Sequence, residues 1–206
     1  MGSFHELIAG FHNFQESYLL KEKEFFDQLA HGQEPKSLVI ACCDSRVDPA
    51  ILLGGKPGDL FVVRSIAALI PPVGLSSPRD AVMSALEYGV KHLDVDHLIV
   101  MGHSACGGIH AALFPEKIEK EFFLSRWVQM AHPVSEELRR ELTAEPTSEV
   151  LERRSAFQMH FFYSPCFQSC CRRFKSRAAL VGVRDGERGM GEEKMEGCNC
   201  IWQPGA

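Results

Sequence analysis

Two short stretches of this chain hold residue types suited to metal chemistry, Cys42-Cys43-Asp44-Ser45-Arg46 and His103-Ser104-Ala105-Cys106. Zinc favours thiolate and imidazole ligands, and a catalytic zinc site uses three protein ligands with a fourth position open. Cys42 offers one thiolate. His103 and Cys106 share a tight turn leading into a helix, which can aim both side chains at one point. Near a helix start the dipole also favours the thiolate of Cys106. Gly102, Gly107 and Gly108 leave room for the backbone. Any one of these residues alone reads equally well as a small buried side chain at a strand end. The three together point to Zn²⁺. Asp44 and Arg46 have the spacing of a charge-assisted pair, which could also be a plain strand-end ion pair.

That chemistry requires the two stretches to meet. Ser37–Ala41 (SLVIA), Asp59–Arg64 (DLFVVR) and His97–Met101 (HLIVM) are short apolar runs, as expected of strands buried on both faces. Ser77–Lys91 predicts a helix with Ser77-Pro78 as cap and first turn. Another helix is expected from near Ser104, and Lys117–Leu142 carries a further helical pattern. Over residues 3–30, Phe4, Leu7, Ile8, Phe11, Leu19, Phe25, Phe26 and Leu29 predict one or two amphipathic helices closed by Gly32. Alternating strands and helices predict an α/β fold, a central, mostly parallel β-sheet flanked by helices behind an N-terminal helical arm. Ligands of such sheets bind at the carboxyl ends of the strands. CCDSR directly follows the first strand and GHSACGG the third, so both fall on that edge. The expected organisation is one α/β domain over residues 1–155 and an atypical, loosely folded tail over 156–206, where the periodicity lapses.

With 206 residues, 45% hydrophobic and 24% charged, the composition is that of a globular protein with a proper core. The net charge of −5 argues against nucleic acid and anionic membranes as partners, which leaves a small molecule. No apolar run reaches the roughly 18 residues of a membrane span. The N-terminus mixes Glu6 and His5 into its apolar residues, unlike a secretory signal, so a cytoplasmic location is expected. The eight cysteines are then expected to stay reduced. Five of them, Cys166, Cys170, Cys171, Cys198 and Cys200, crowd into the tail at spacings that match no common zinc module.

CCDSRVDP, FVVRSIA, SALEYGVKHL and GHSACGG, in this order and spacing, resemble the β-class carbonic anhydrases over roughly residues 20–155. The resemblance implies that Cys42 rather than Cys43 is the first zinc thiolate, with Cys43 turned into the core. It implies a homodimer or higher homo-oligomer built through the helical arms, and the reversible hydration of carbon dioxide to bicarbonate. In that reaction zinc acidifies a bound water to hydroxide, which attacks carbon dioxide. Two thiolates offset the metal's charge, so acidification is expected to be weaker than at an all-histidine site and activity to rise above neutral pH. Asp44 would accept the nucleophile's hydrogen bond and Arg46 would hold Asp44. In some members this Asp takes the fourth zinc position at lower pH. The resemblance also implies a substrate pocket of Gln33, Phe61, Ile66 and Tyr88, partly contributed across a dimer interface. The chain departs from the family at Ser65, where Asn is common, and from Phe157 onward, where the family's last strand is not recognisable. Two other readings compete: a catalytically impaired zinc-binding or assembly member of the fold, and a hydrolase of a related linear substrate such as carbon disulfide.

Overall fold

Ser37–Cys42 (β1) is deeply buried, with Leu38, Val39, Ile40 and Ala41 fully excluded from solvent. Such a strand needs cover on both faces. The computed structural model, which describes residues 3–72, 77–103, 105–141 and 177–183, supplies it. The chain divides into two units, Met1–Glu34 and Pro35–Ala206.

In the second unit β1 lies between Leu60–Ser65 (β2) and His97–His103 (β3), parallel to both. Successive β1 side chains feed opposite cores. Val39 and Ala41 pack with Met101, Ile109, Leu113, Val128 and Val134. Leu38 and Ile40 pack with Val63, Val82, Leu86, Leu98 and Val100. The helices follow that division. Ala81–Lys91 (α4) covers one face, while Gly107–Leu113 (α5), Phe122–Gln129 (α6) and His132–Glu141 (α7) cover the other. Pro49–Leu53 (α3) is a short helix that the sequence pattern did not reveal, capped by the Asp48 carboxylate on the Ala50 and Ile51 N–H groups.

Helix starts differ from expectation for identifiable reasons. α4 begins at Ala81 rather than Ser77, because the Asp80 carboxylate accepts from the Met83 N–H at 2.9 Å while Ser77 closes only a preceding turn. α5 begins at Gly107 with Cys106 as its cap residue, and Ser104 lies outside the described residues. The expected Lys117–Leu142 helix is two helices, and Pro133 in the first turn of α7 marks the second start. Leu142 lies outside the described residues.

Arg177–Val183 (β4) continues the sheet beside β3 in parallel register, from His97↔Arg177 to His103↔Val183. The strand order is β2-β1-β3-β4. The stretch taken as a loosely folded tail thus contributes a strand, and this strand covers the edge of β3. The tail cysteines Cys166, Cys170, Cys171, Cys198 and Cys200 lie outside the described residues.

The first unit contains Phe4–Phe14 (α1), a π-helical stretch Gln15–Leu19, and Lys23–Leu29 (α2). Ser3 and Glu6 form a reciprocal capping box at the start of α1. The rings of Phe14, Tyr18 and Phe26 form a mutual cluster with centroids 5.5–5.8 Å apart. The helices end at Leu29, and the Gly32 N–H bonds back to the Leu29 carbonyl, as the expected stop there requires.

Candidate metal centre

Cys42 ends β1 and His103 ends the adjacent β3, so parallel pairing brings them to the same sheet edge. After His103 the chain turns through Ala105, held in a left-handed conformation (φ 50°), and reaches Cys106 at the foot of α5. All three side chains are at most 5% exposed. Their ligand atoms lie within 4.8 Å of one another, and the two sulfurs are 3.7 Å apart. Two sulfurs on a tetrahedral zinc, at about 2.3 Å each, stand about 3.8 Å apart, so the donor set fits that ion in chemistry and spacing.

The two sulfurs are within hydrogen-bonding distance, and either can donate. The Cys42 thiol is drawn down to about 4, chiefly by the hydrogen bond from Cys106 and further by His103 and the backbone N–H groups of Asp44 and Ala67, against the opposing effect of burial. The same hydrogen bond and burial push the Cys106 thiol up. A dication would bind both sulfurs as thiolates, since metal ligands must be deprotonated.

Asp44 stands at the edge of this cluster, its Oδ2 3.8 Å from His103 Nε2. The Arg46 side chain, and then its backbone N–H, hold the Asp44 carboxyl well below the usual carboxylate range. The pair is bidentate, with Nε donating to Oδ1 at 2.9 Å and Nη2 to Oδ2 at 2.7 Å. Arg46 Nη2 also donates to the Ala105 carbonyl at 3.0 Å, tying the first motif to the second.

Two residues of the FVVRSIA stretch, neither assigned a role from the sequence, complete the support. Arg64, at the end of β2, donates to the carbonyls of Cys42 (3.0 Å), Asp44 (2.6 Å) and Val47 (3.4 Å) and to the Asp48 carboxylate (3.3 Å). It fastens the loop that carries both a candidate ligand and Asp44. The sequence signal was an arginine closing an apolar strand, a charge that requires partners. Ser65 is buried, and its hydroxyl donates to the Leu69 carbonyl at 3.0 Å. Between them, Ile66–Ala68 form a single 3₁₀ turn in which Ala67 (φ 59°) and Ala68 (φ 51°) are left-handed, a cost of about 1–2 kcal/mol each for a residue with a Cβ. The buried Ala67 N–H is one of the donors to Cys42.

Cys43 is exposed rather than in the core, because its backbone N–H pairs with the Ser65 carbonyl and sends the side chain outward. Phe61 and Tyr88 do come together, ring centroids 5.9 Å apart. Phe61 lies away from the candidate ligand Cys42, for Phe61 pairs with Leu38 and Ser65 with Cys42, four residues or about 13 Å along the strand. Ile66 is partly exposed on the strained turn. Gln33 is exposed and belongs to the N-terminal unit.

The family profile described as "Carbonic anhydrase" matches residues 37–160. A carbonic anhydrase of Synechocystis sp. is 41% identical over 107 residues, covering 52% of this chain and 38% of that protein. One from Helicobacter pylori is 35% identical over 137 residues, covering 65% and 62% respectively. "Beta carbonic anhydrase 5, chloroplastic" of Arabidopsis thaliana is 40% identical over 134 residues, covering 65% and 44%. The chain therefore spans less than two thirds of the length of each of these relatives. Among solved structures, the β-carbonic anhydrase CcaA superposes with a TM-score of 0.78 at 26% identity, over 87% of this chain and 82% of that one. A tetrameric β-carbonic anhydrase of Sordaria macrospora gives 0.75 at 29% identity, over 88% and 91%.

Proposed function

This chain belongs to the β-carbonic anhydrase family, and on that basis we propose that it catalyses the reversible hydration of carbon dioxide to bicarbonate and a proton, with Zn²⁺ held by Cys42, His103 and Cys106. The carrying observation is the convergence of these three buried side chains beside a carboxylate that an arginine holds at both oxygens. Zinc, when bound, supplies the Lewis acidity that makes a water nucleophilic near neutral pH.

The chain's own residues then orient and select. An ionised Asp44 can only accept hydrogen bonds, so it takes the proton side of the attacking water and turns a lone pair toward the substrate. Arg46 removes the carboxylate's rotational freedom and, through the Ala105 carbonyl, sets its position relative to the His103–Cys106 turn. Arg64 fixes the backbone on which Cys42 and Asp44 sit. Two thiolates in the ligand set cancel the dication's formal charge, which favours activity on the alkaline side of neutrality.

Gln33, Phe61, Ile66 and Tyr88 are proposed as the substrate pocket. The separation of Phe61 from Cys42 along the strand, with Tyr88 packed beside Phe61, supports their serving a second copy's site, in a homodimer or larger homo-oligomer. Among the described residues no helix is long and apolar enough to cross a membrane. A cytoplasmic location is proposed from the sequence pattern alone.

Isotope exchange between labelled bicarbonate and water, measured against zinc content, tests the proposal. Exchange in proportion to bound zinc is expected, and fully zinc-loaded protein without exchange would overturn it.

A further inference from the structure

The Ile66–Ala68 turn lies against the segments that carry the two thiol ligands. On one side it follows Ser65, which pairs with Cys42 in the sheet and accepts the Cys43 N–H at 3.1 Å. On the other side it meets the first turn of α5, directly after Cys106. A Cβ on Gly108 would stand 2.9 Å from the Ala67 backbone nitrogen and 2.6 Å from Ile66 Cγ2. Ala67, Cys42 and Cys106 share one buried cluster. The turn's shape is intrinsically unfavourable, because two consecutive alanines are left-handed, so something outside it must hold it.

Trp127 on α6 reaches this turn. Its indole Nε1–H donates to the Ile66 carbonyl at 3.0 Å, and that carbonyl also accepts the Leu69 N–H at 3.3 Å. The indole packs against both core clusters, so its orientation is set by the fold. An indole nitrogen is a donor only, which makes the contact directional.

We propose that Trp127 is a positioning residue for the metal centre: by holding the Ile66 carbonyl it keeps the left-handed turn against Cys42, and so controls how firmly the ligand set retains its ion. The inference rests on the reading of Cys42, His103 and Cys106 as metal ligands. It assigns Trp127 no contact with substrate.

Trp127→Phe keeps aromatic packing and removes the donor. Wild type, this variant and Val95→Ala, which thins the core just before the start of β3, at the far end of that strand from His103, would be loaded with Co²⁺ as a spectroscopic stand-in for zinc. The readouts are the thiolate-to-cobalt absorption band, the rate of metal loss to a chelator, and the melting temperature. Removing support behind a ligand weakens metal binding by about 10–100-fold. The expected result is metal loss faster by that factor and a shifted band in Trp127→Phe, with Val95→Ala retaining the wild-type band and rate despite its lower melting temperature. If the phenylalanine variant does not fold, benzothienylalanine at position 127 removes the N–H while keeping the indole's shape. A wild-type band and release rate in the donor-less protein would overturn the proposal. So would changes that merely follow the loss of melting temperature, as in Val95→Ala. Wild-type protein that takes up no cobalt would overturn the metal reading itself, and this inference with it.

Discussion

Arg46 holds Asp44 at two side-chain points, Nε to Oδ1 at 2.9 Å and Nη2 to Oδ2 at 2.7 Å, and adds a third from its own backbone N–H to Oδ1 at 2.9 Å. The carboxylate stays partly exposed while both of its oxygens are held. Its Oδ2 stands 3.8 Å from His103 Nε2.

Arg46→Ala should remove that fixation without removing the charge. Arg46 is the main cause of the depressed Asp44 ionisation, so the carboxyl returns toward the ordinary value of about 3.9 and remains ionised at neutral pH. Hydration should fall about 100-fold through misorientation, with zinc content and the shape of the pH profile retained. Steady-state kinetics alongside metal analysis checks this, and a loss of zinc in step with activity would speak against it.

The same pair predicts a pH dependence of stability. The folded-state ionisation of Asp44 is depressed, so the stabilisation is present above the unfolded value of about 3.9 and is lost as pH falls through the folded one. The melting-temperature gap between wild type and Asp44→Asn should be constant near neutrality and narrow only in acid. A gap that widens below about pH 4 would contradict the sign.

Arg64 is expected to matter as much as the motif residues. Arg64→Lys keeps the charge but cannot reach the carbonyls of Cys42, Asp44 and Val47 and the Asp48 carboxylate at once. Leaving such groups unpaired costs about 1–3 kcal/mol. Denaturant unfolding should register that loss, and zinc should exchange faster than in wild type.

Gly108 and Gly89 give a contrast between site and scaffold. A Cβ at Gly108 would strike the Ala67 backbone nitrogen and Cβ, both at 2.9 Å, whereas at Gly89 it would meet the end of the Leu38 side chain at 2.4 Å. Both Gly→Ala changes overpack a core and should cost about 1–3 kcal/mol. Only Gly108→Ala should also loosen zinc, because only there does the displaced group belong to the turn beside Cys42. Thermal melts with parallel metal titrations separate the two.

The sequence was most readable where burial and chemistry coincide. The runs ending at Cys42 and His103 are continuous and apolar because both faces of those strands are covered, and their ends place the candidate ligands on one sheet edge. Helix starts were less readable, since Ser77 and Asp80 are both good caps and only the fold decides between them. β4 was missed although AALVGV is an apolar run, because the polar and glycine-rich residues around it mask the signal. The left-handed conformations of Ala67 and Ala68 had no signature, for alanine carries none of the usual marks of that region. The support from Arg64 and Trp127 is long-range, and nothing local in the sequence names the carbonyls they hold.

The most direct test of the central claim is stopped-flow hydration of carbon dioxide by purified, zinc-loaded protein on both sides of neutral pH, with Cys106→Ser as control. Rapid turnover that grows with pH and disappears, together with bound zinc, in the Cys106→Ser variant is the predicted result. Wild-type protein that holds zinc but turns over no carbon dioxide at any pH would contradict the account.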